Sequence, residues 1–333
     1  MDVSVLKCCA TIKLRLYNTM EYIEQFRIPD MERAVGAYGD SKSFRLHWDI
    51  NTYCDKDCFY CYARAQLVWN KMSTKTVLDN ILTQLANKQQ QLEIVLLGGE
   101  PSLHPMYFYI LDELEKLPNL KASAVISNAG KKVNSEWIDK HERYNNFWFN
   151  YTFHPSETSD IHAGFLDKVV YTRKRFENVI VNVMMAGAKW DEQIDEVISV
   201  CENNNIITRA NVLFKPKTCD NYMITSDAYR KWIEKYVNRF DRYLYFSKNR
   251  LTRNQPDKQI HSDTHSIYND IEVYLHDLNK FKGWKCLNNN YAVEGSNNTT
   301  ITRMCDNNQK DTYMTCNLDR CVCQGLLTNE KYI

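Results

Sequence analysis

The sequence lacks a long apolar run, a secretory segment and an excess of charge. No stretch of about 18 consecutive apolar residues occurs, so no transmembrane helix is indicated. The start, Met1 to Leu16, is interrupted by Lys7, Lys13 and Arg15 and has no clear secretory apolar core or cleavage site. The 42 Lys and Arg residues balance 41 Asp and Glu residues, which gives no global electrostatic case for binding nucleic acid or a membrane. We therefore predict a cytoplasmic protein without a membrane partner.

Cysteine is the residue type that stands out in what the sequence does contain. The chain has 12 cysteines among 333 residues, and a chain of this length buries a substantial core without disulfides. Because no secretory segment is apparent, we interpret these cysteines as reduced, metal-binding thiols rather than as a disulfide framework. Two groups stand out, one over residues 54–61 and one over residues 286–323.

The first group, hereafter the cysteine loop, consists of Cys54, Cys58 and Cys61, separated by three and then two residues. It follows an apolar-rich run, Phe44 to Ile50, that is typical of a β-strand. Thiolates are soft ligands for zinc and for iron–sulfur clusters. A structural zinc site needs four ligands, and no fourth lies beside these three. A cubane cluster would instead leave one of its irons open to a substrate or cofactor.

From Phe44 onward, strand and helix patterns alternate. The predicted strands are residues 44–50, 92–97, 122–126, 147–153, 179–185 and 209–214, and a helix follows each of them. Such units pair in parallel with right-handed crossovers, and six are too few for the closed eight-stranded barrel. We therefore expect an open α/β sheet with its functional residues at the C-terminal ends of the strands.

Several polar motifs stand at these strand ends. Gly98-Gly99-Glu100 follows the second strand, Ser127-Asn128 the third and His154 the fourth. Paired glycines let a ligand approach the backbone closely, and Glu100 can accept a hydrogen bond from an ammonium group. A turn at Ser127-Asn128 and a simple strand end at His154 are the alternative interpretations.

Together, the Cys-x3-Cys-x2-Cys spacing, Tyr60 before the third cysteine and the following Gly-Gly-Glu resemble the radical S-adenosylmethionine (SAM) superfamily. The resemblance implies an open six-stranded (β/α)6 partial barrel of the TIM type with a small cysteine-rich C-terminal extension. It implies a [4Fe–4S] cluster held by Cys54, Cys58 and Cys61, with SAM chelated to the fourth iron. SAM would be cleaved reductively to a 5′-deoxyadenosyl radical that abstracts a hydrogen atom from a substrate.

The resemblance also implies contacts to SAM. Glu100 is expected to bind the methionyl ammonium, with Gly98 and Gly99 giving backbone access, and Tyr60 is expected to lie against the adenine. The remaining expected contacts are Ser127 and Asn128 to ribose or carboxylate, Asn182 and Val183 near the adenine, and His154 to SAM or substrate.

The second group of cysteines lies in a polar, Asn-rich segment, where core cysteines would not cluster: Cys286, Cys305, Cys316, Cys321 and Cys323. Together with Trp284 and Gly295 it resembles the auxiliary-cluster modules, SPASM and twitch, of many radical SAM proteins, although the gaps around Gly295 differ from the usual SPASM spacing. We expect one auxiliary iron–sulfur cluster, or a zinc ion at four thiolates. The first choice of ligands is Cys286, Cys305, Cys321 and Cys323.

The predicted organisation has four parts. They are an N-terminal extension (1–42), the partial barrel (43–240), a linker or helical insertion (241–283) and the auxiliary-cluster region (284–333). The favoured substrate is a peptide or protein side chain, by analogy with modifying enzymes that carry such tails, and the expected electron donor is a flavodoxin or ferredoxin. The alternatives are modification of a nucleotide or nucleic acid, activation of a glycyl-radical enzyme, and a non-catalytic zinc-binding interaction protein.

Overall fold

The computed structural model describes most of the predicted barrel and short pieces of the later chain. The described residues are 43–58, 60–61, 71–155, 159–212, 227–240, 244–247, 265–268, 270–275, 285–287, 290–295, 298–303, 313–315 and 331–332. The predicted N-terminal extension lies outside them. None of the helices within these ranges is long and apolar enough to span a bilayer.

A parallel sheet forms the centre of the fold. Its first six strands are β1 Phe44–Asn51, β2 Leu92–Gly98, β3 Leu120–Ser127, β4 Phe147–Phe153, β5 Val179–Met185 and β6 Ile207–Val212. Each strand pairs in parallel with the next one along the chain. This open order confirms the predicted α/β fold class, that of a partial barrel.

Helices connect the strands. They are α1 Lys75–Ala86, α2 Tyr107–Leu114, α3 Ser135–Asp139, α4 Ser159–Arg175 and α5 Asp191–Asn203, followed by α6 Asp227–Glu234 and α7 Asp270–Leu275. Short 3₁₀ turns occupy Pro101–Leu103, Lys140–Arg143 and Ala188–Trp190. Helix α1 begins after Thr74, whose side chain accepts from the Val77 N–H at 3.4 Å.

Two strands from the late part of the chain extend this sheet beyond the six predicted strands. Strand β10, Asn290–Val293, pairs in parallel with β1, and β11, Thr302–Arg303, pairs antiparallel with β10. The described sheet therefore has eight strands in the order β11-β10-β1-β2-β3-β4-β5-β6, seven of them parallel. The segment that we assigned to the auxiliary-cluster region thus contributes to the main sheet.

The other described strands form two small antiparallel sheets. Strand β7, Leu244–Ser247, pairs with β8, His265–Tyr268. Strand β9, Lys285–Leu287, lies between β12, Tyr313–Thr315, and β13, Lys331–Tyr332.

The central sheet has two buried faces of different character, because successive side chains of a strand point to opposite sides of the sheet. The face covered by helices is apolar; in β4 it carries Phe147, Phe149, Tyr151 and Phe153. The other face of the sheet carries buried polar side chains, among them His47, Asn150 and Asn182. The C-terminal ends of all the parallel strands meet at one edge of this sheet, which is the edge that carries the cysteine loop.

Candidate functional site

The cysteine loop begins where β1 ends, and its first residues are bonded to the end of β2. The Gly99 N–H donates to the Asn51 carbonyl at 2.9 Å, and the Glu100 N–H donates to the Tyr53 carbonyl at 2.7 Å. The Asn51 Nδ2 donates a hydrogen bond to the Glu100 carbonyl at 2.9 Å. These three bonds place the cysteine loop directly beside the Gly-Gly-Glu motif.

The two glycines of that motif are needed for this close approach. A Cβ at Gly98 would lie 2.0 Å from the Asn51 carbonyl oxygen, and one at Gly99 would lie 2.1 Å from that of Tyr53. Gly98 also has a φ of +135°, which side-chain-bearing residues rarely adopt. We expected a ligand to be what approaches these glycines, whereas in the structure the chain itself does so. The contact of Gly98 and Gly99 with SAM stays a prediction.

Glu100 is fully buried and joins the end of β2 to the end of β3. Its Oε1 accepts from the Ser102 N–H at 3.0 Å and from the Ser127 hydroxyl at 2.8 Å. Its Oε2 accepts from the Asn128 N–H at 2.7 Å. Burial raises the pKa of the Glu100 carboxyl, and these hydrogen bonds oppose that rise.

Asn128 connects the cysteine loop to the turn after β3. Its Nδ2 lies 3.4 Å from the Cys54 Sγ and donates to the Asp55 Oδ1 at 2.9 Å. From the other side of the turn, the Lys168 ammonium of helix α4 donates to the carbonyls of Ala129 and Gly130, at 2.8 Å each. Two neighbouring elements therefore hold the turn beside the first cysteine.

His154 lies at the end of β4, next to the second cysteine. Its Nδ1 is 3.0 Å from the Tyr60 hydroxyl and 3.5 Å from the Cys58 Sγ. The two rings stack with their centroids 5.9 Å apart. Burial, together with the Lys56 ammonium, lowers the pKa of His154 to about 3, so its imidazole is neutral at pH 7.

Burial raises the pKa values of Cys54 and Cys58. Burial raises the pKa of Cys54 to about 12, although the Lys56 backbone N–H bonds to it and opposes the rise. Burial also raises the pKa of Cys58, partly offset by a hydrogen bond from Tyr60. Both thiols are therefore protonated in the metal-free protein, and a metal would have to displace these protons on binding.

Two other predicted contacts lie further from the loop. Asn182 on β5 is paired with Thr152 of β4, two residues before His154 on the same face, and it donates to the Tyr151 carbonyl at 3.4 Å. Val183 points to the opposite face and is fully buried in the apolar core. The structure thus forms two groups of contacts on the cysteine loop: one joins Cys54, Asn128, Glu100 and Ser127, and the other joins Cys58, Tyr60 and His154. Cys61 lies beside Cys58 through a backbone bond of 3.1 Å, and the side chain of Val183 lies outside both groups.

The predicted auxiliary ligands cannot be assembled from the described residues. Cys305, Cys321 and Cys323 lie outside these residues, and for Cys286 only its backbone place in β9 is described. In the part of the chain that the structure covers, no three His, Cys, Asp or Glu side chains lie close enough to hold a metal ion. The auxiliary site and its metal stay predictions.

Sequence reasoning missed four residues that shape this site: Asn51, Asp55, Lys56 and Lys168. Asp55 and Lys56 stand between the cysteines, so their position was a usable signal. Lys168 is in the middle of a helix about 110 residues later, and no local pattern indicates that it reaches the turn after β3.

Comparisons with known proteins give one family and several solved structures. A family model described as the radical SAM superfamily matches residues 48–193. A search of the curated proteins gave no match. Among solved structures, SuiB of Streptococcus suis, bound to the precursor peptide SuiA, is similar at 15% sequence identity and a TM-score of 0.46, over 66% of this chain and 51% of SuiB.

A second similar structure is native anSMEcpe with bound AdoMet and the Cp18Cys peptide. It has 12% sequence identity and a TM-score of 0.45, over 58% of this chain and 59% of that chain. This chain therefore spans about half the length of SuiB and less than two thirds of anSMEcpe. At these sequence identities and TM-scores, neither similarity supports an inference about the substrate of this chain.

Proposed function

Because a radical SAM superfamily model matches residues 48–193, we propose that the chain is an enzyme that cleaves SAM reductively and abstracts a hydrogen atom from a substrate. One observation of the site carries this proposal. Cys54 and Cys58 each contact a side chain from another strand end, namely Asn128 after β3 and His154 after β4. The cysteine loop is thus built into the edge where parallel α/β folds place their functional groups.

The donor chemistry of the cysteine loop fits an iron–sulfur cluster, in which each thiolate binds a different iron. The three described thiols do not converge on a single metal ion, and a cluster does not require them to. All three cysteines are partly buried and come from one loop. Cys54 receives hydrogen bonds from the Asn128 amide and the Lys56 backbone N–H, and such bonds to sulfur tune the potential of a cluster. A reduced cluster held by these three cysteines would supply the electron for the reductive cleavage of SAM, and this cleavage would be the source of the hydrogen-abstracting chemistry.

The residues around Glu100 fit the ammonium group of SAM. Among the described residues, the buried Asn51 Oδ1 and Asn128 Oδ1 have no hydrogen-bond partner, and both residues contact Glu100 through other atoms. An ammonium group has three donors and no acceptor, so acceptors of this kind match it. Glu100 supplies the negative charge, and its bonds to Ser102 and Ser127 keep its carboxylate in one orientation.

For the substrate, we favour a peptide or protein side chain. The cysteine-rich segment after residue 284 supports this choice by analogy with modifying enzymes that carry auxiliary clusters. The expected electron donor is a small one-electron carrier such as a flavodoxin or ferredoxin. Modification of a nucleotide is the second candidate, and the near-neutral net charge of +1 favours a small nucleotide over a nucleic acid.

Anaerobic reconstitution with iron and sulfide, followed by reduction with dithionite in the presence of SAM, tests the proposal. We expect wild-type protein to form 5′-deoxyadenosine and the Cys58→Ala variant to form none. Cys201→Ala is the matched control, because Cys201 is buried in helix α5 among core residues, and this variant should retain SAM cleavage. SAM cleavage by Cys58→Ala, or a wild-type protein that binds zinc but no iron, would refute the proposal.

A further inference from the structure

Asp55 stands between the predicted cluster ligands and bridges the cysteine loop to the turn after β3. Its Oδ1 accepts from the Asn128 Nδ2 at 2.9 Å, and its Oδ2 accepts from the Lys131 N–H at 3.1 Å. The residue as a whole is solvent-exposed, yet both carboxylate oxygens are bound to the same turn. The carboxylate of an exposed aspartate in a loop is ordinarily bound by water. The two hydrogen bonds from the Asp55 carboxylate to one turn therefore suggest that it has a structural role.

The turn is shaped to receive this carboxylate. A Cβ at Gly130 would lie 2.1 Å from the Asp55 Oδ2 and 2.7 Å from the Asn128 Oδ1. Gly130 is not among the described glycines with positive φ, so a Cβ added here would displace the Asp55 carboxylate rather than strain the backbone. Lys168, which holds the Ala129 and Gly130 carbonyls, adds a positive charge that attracts Asp55.

We propose that Asp55 is a positioning residue, whose carboxylate fixes the cysteine loop to the turn after β3. Asn128 connects Asp55 both to the first cysteine and to Glu100. Its Nδ2 bonds both Asp55 and the Cys54 Sγ, and its backbone N–H bonds Glu100. Asp55 thereby sets the distance between the first predicted cluster ligand and the predicted SAM-binding carboxylate. Its consequence for SAM rests on the proposed function, whereas the attachment itself does not.

The attachment is tested first in the metal-free protein. Asp55→Ala removes the acceptor of the Lys131 N–H, so amide exchange at Lys131 should become faster, by about tenfold for a lost hydrogen bond to a charged group. Asp57→Ala is the matched control, since it makes the same change of charge two residues away in the same loop and should leave exchange at Lys131 unchanged. Unchanged exchange in Asp55→Ala would overturn the attachment, whatever the chain does with SAM.

The positioning role is tested in the iron-loaded protein. We expect Asp55→Ala to change the electron paramagnetic resonance spectrum of the reduced protein and to weaken SAM binding by about tenfold, whereas Asp57→Ala should bind SAM like wild type. Gly130→Ala should weaken binding when Asp55 is present and have a smaller effect in the Asp55→Ala background, because the clash has lost its partner. A wild-type spectrum and SAM affinity in Asp55→Ala, or additive effects in the double variant, would overturn this role. A wild-type protein that binds iron but no SAM would contradict the proposed function and leave the exchange result standing.

Discussion

His47 is a histidine on β1 that is 4% exposed, and neither of its ring nitrogens has a hydrogen-bond partner within the part of the chain that the structure describes. Burial, together with the neighbouring Arg45 guanidinium, lowers its pKa to about 3. His141 after helix α3 has a pKa lowered equally, to about 3, but its ring bonds the Tyr107 hydroxyl and the Trp137 carbonyl, at 2.9 Å each. The two histidines thus share one titration behaviour and differ in what their neutral rings do for the fold.

The difference predicts opposite effects at pH 7. His47→Met should leave the free energy of unfolding unchanged or raise it, because a buried polar ring without partners is replaced by an apolar chain. His141→Met should lower it by about 1–3 kcal/mol, because the buried Tyr107 hydroxyl loses its partner. Urea unfolding at pH 7 measures both, and a large loss in His47→Met would show that the ring is bonded.

His47→Met and His141→Met should also change how the free energy of unfolding depends on pH below about 6.5. The pKa of each histidine is about 6.5 in the unfolded chain and about 3 in the folded one. The unfolded state therefore binds more protons below pH 6.5, and stability falls as the pH drops from about 6.5 towards 3. Each substitution should remove up to about 1.4 kcal/mol per pH unit from this slope. Unfolding series at pH 5, 6 and 7 would detect the change, and an unaltered slope would contradict it.

At the scale of elements, the first three strands are joined at the end opposite to the cysteine loop. Arg45 at the start of β1 donates to Glu93 of β2, from Nε at 2.9 Å, and Lys121 of β3 donates to the same carboxylate at 3.0 Å. The Arg45 and Glu93 side chains are 5% and 4% exposed, whereas that of Lys121 is 27% exposed. Ionic contacts thus hold the N-terminal ends of the strands, while the candidate site occupies their C-terminal ends.

This ion cluster predicts unequal costs for its members. Glu93→Gln should lower the free energy of unfolding by about 3–5 kcal/mol, because Arg45 keeps a buried charge without its carboxylate. Lys121→Gln should cost less than about 1 kcal/mol, since water reaches Lys121 and screens its charge. Urea unfolding at pH 7 compares the two variants, and equal costs would contradict the assignment of Glu93 and Arg45 as the buried pair.

The elements also show how far sequence patterns reach. Strands β4 and β5 were predicted with their observed bounds, 147–153 and 179–185, because each is a continuous buried run with clear turn signals. The helix predicted after the second strand is also present, as the short helix Tyr107–Leu114, although its bounds did not follow from the pattern because helix ends pass into turns. Strand β10 was missed, because four residues paired through their backbone with a strand some 245 residues earlier leave no local pattern.

The candidate site likewise combines residues that a local sequence pattern indicates with residues that only the fold brings together. The cysteines and Glu100 were predicted as site residues from the resemblance of their two motifs, in order along the chain, to a known family, and their roles stay predictions. The attachments of Lys168 and Gly130 depend instead on which atoms the fold brings within 3 Å. Gly98 and Gly99 were recognised as close-approach positions, and only the structure reveals the backbone of Asn51 and Tyr53 as what approaches them.

At the scale of the whole molecule, the late part of the chain completes the central sheet. Strand β10 covers β1 with the buried Ala292 and Val293. Beyond β10, the Gly295 N–H donates to the Asp49 Oδ2 at 3.3 Å, and the Thr299 carbonyl accepts from Gln84 at 2.7 Å. Without these residues β1 would become an open edge with unpaired N–H and C=O groups, which is a template for aggregation.

Two truncations separate this structural part from the predicted metal-binding part. A chain ending at residue 283 loses β10 and β11 and should aggregate or unfold at lower urea concentration than the full chain. A chain ending at residue 303 keeps both strands, so its barrel should stay folded, although β9 loses its partner strands. Urea unfolding and size-exclusion chromatography compare the two, and equal behaviour would show that β10 contributes little to the sheet.

The chain that ends at residue 303 also tests which metal the cysteines of residues 286–323 bind. The chain ending at residue 303 retains Cys286 but lacks Cys305, Cys316, Cys321 and Cys323, too few thiols for an auxiliary site. If these cysteines hold a second cubane cluster, iron after reconstitution should fall from about 8 to about 4 per chain, while SAM cleavage at the cysteine loop persists. If they hold zinc, iron should stay near 4 and zinc should be lost. Iron near 8 in the truncated chain would contradict both assignments, because the only remaining group of three cysteines lies in residues 54–61.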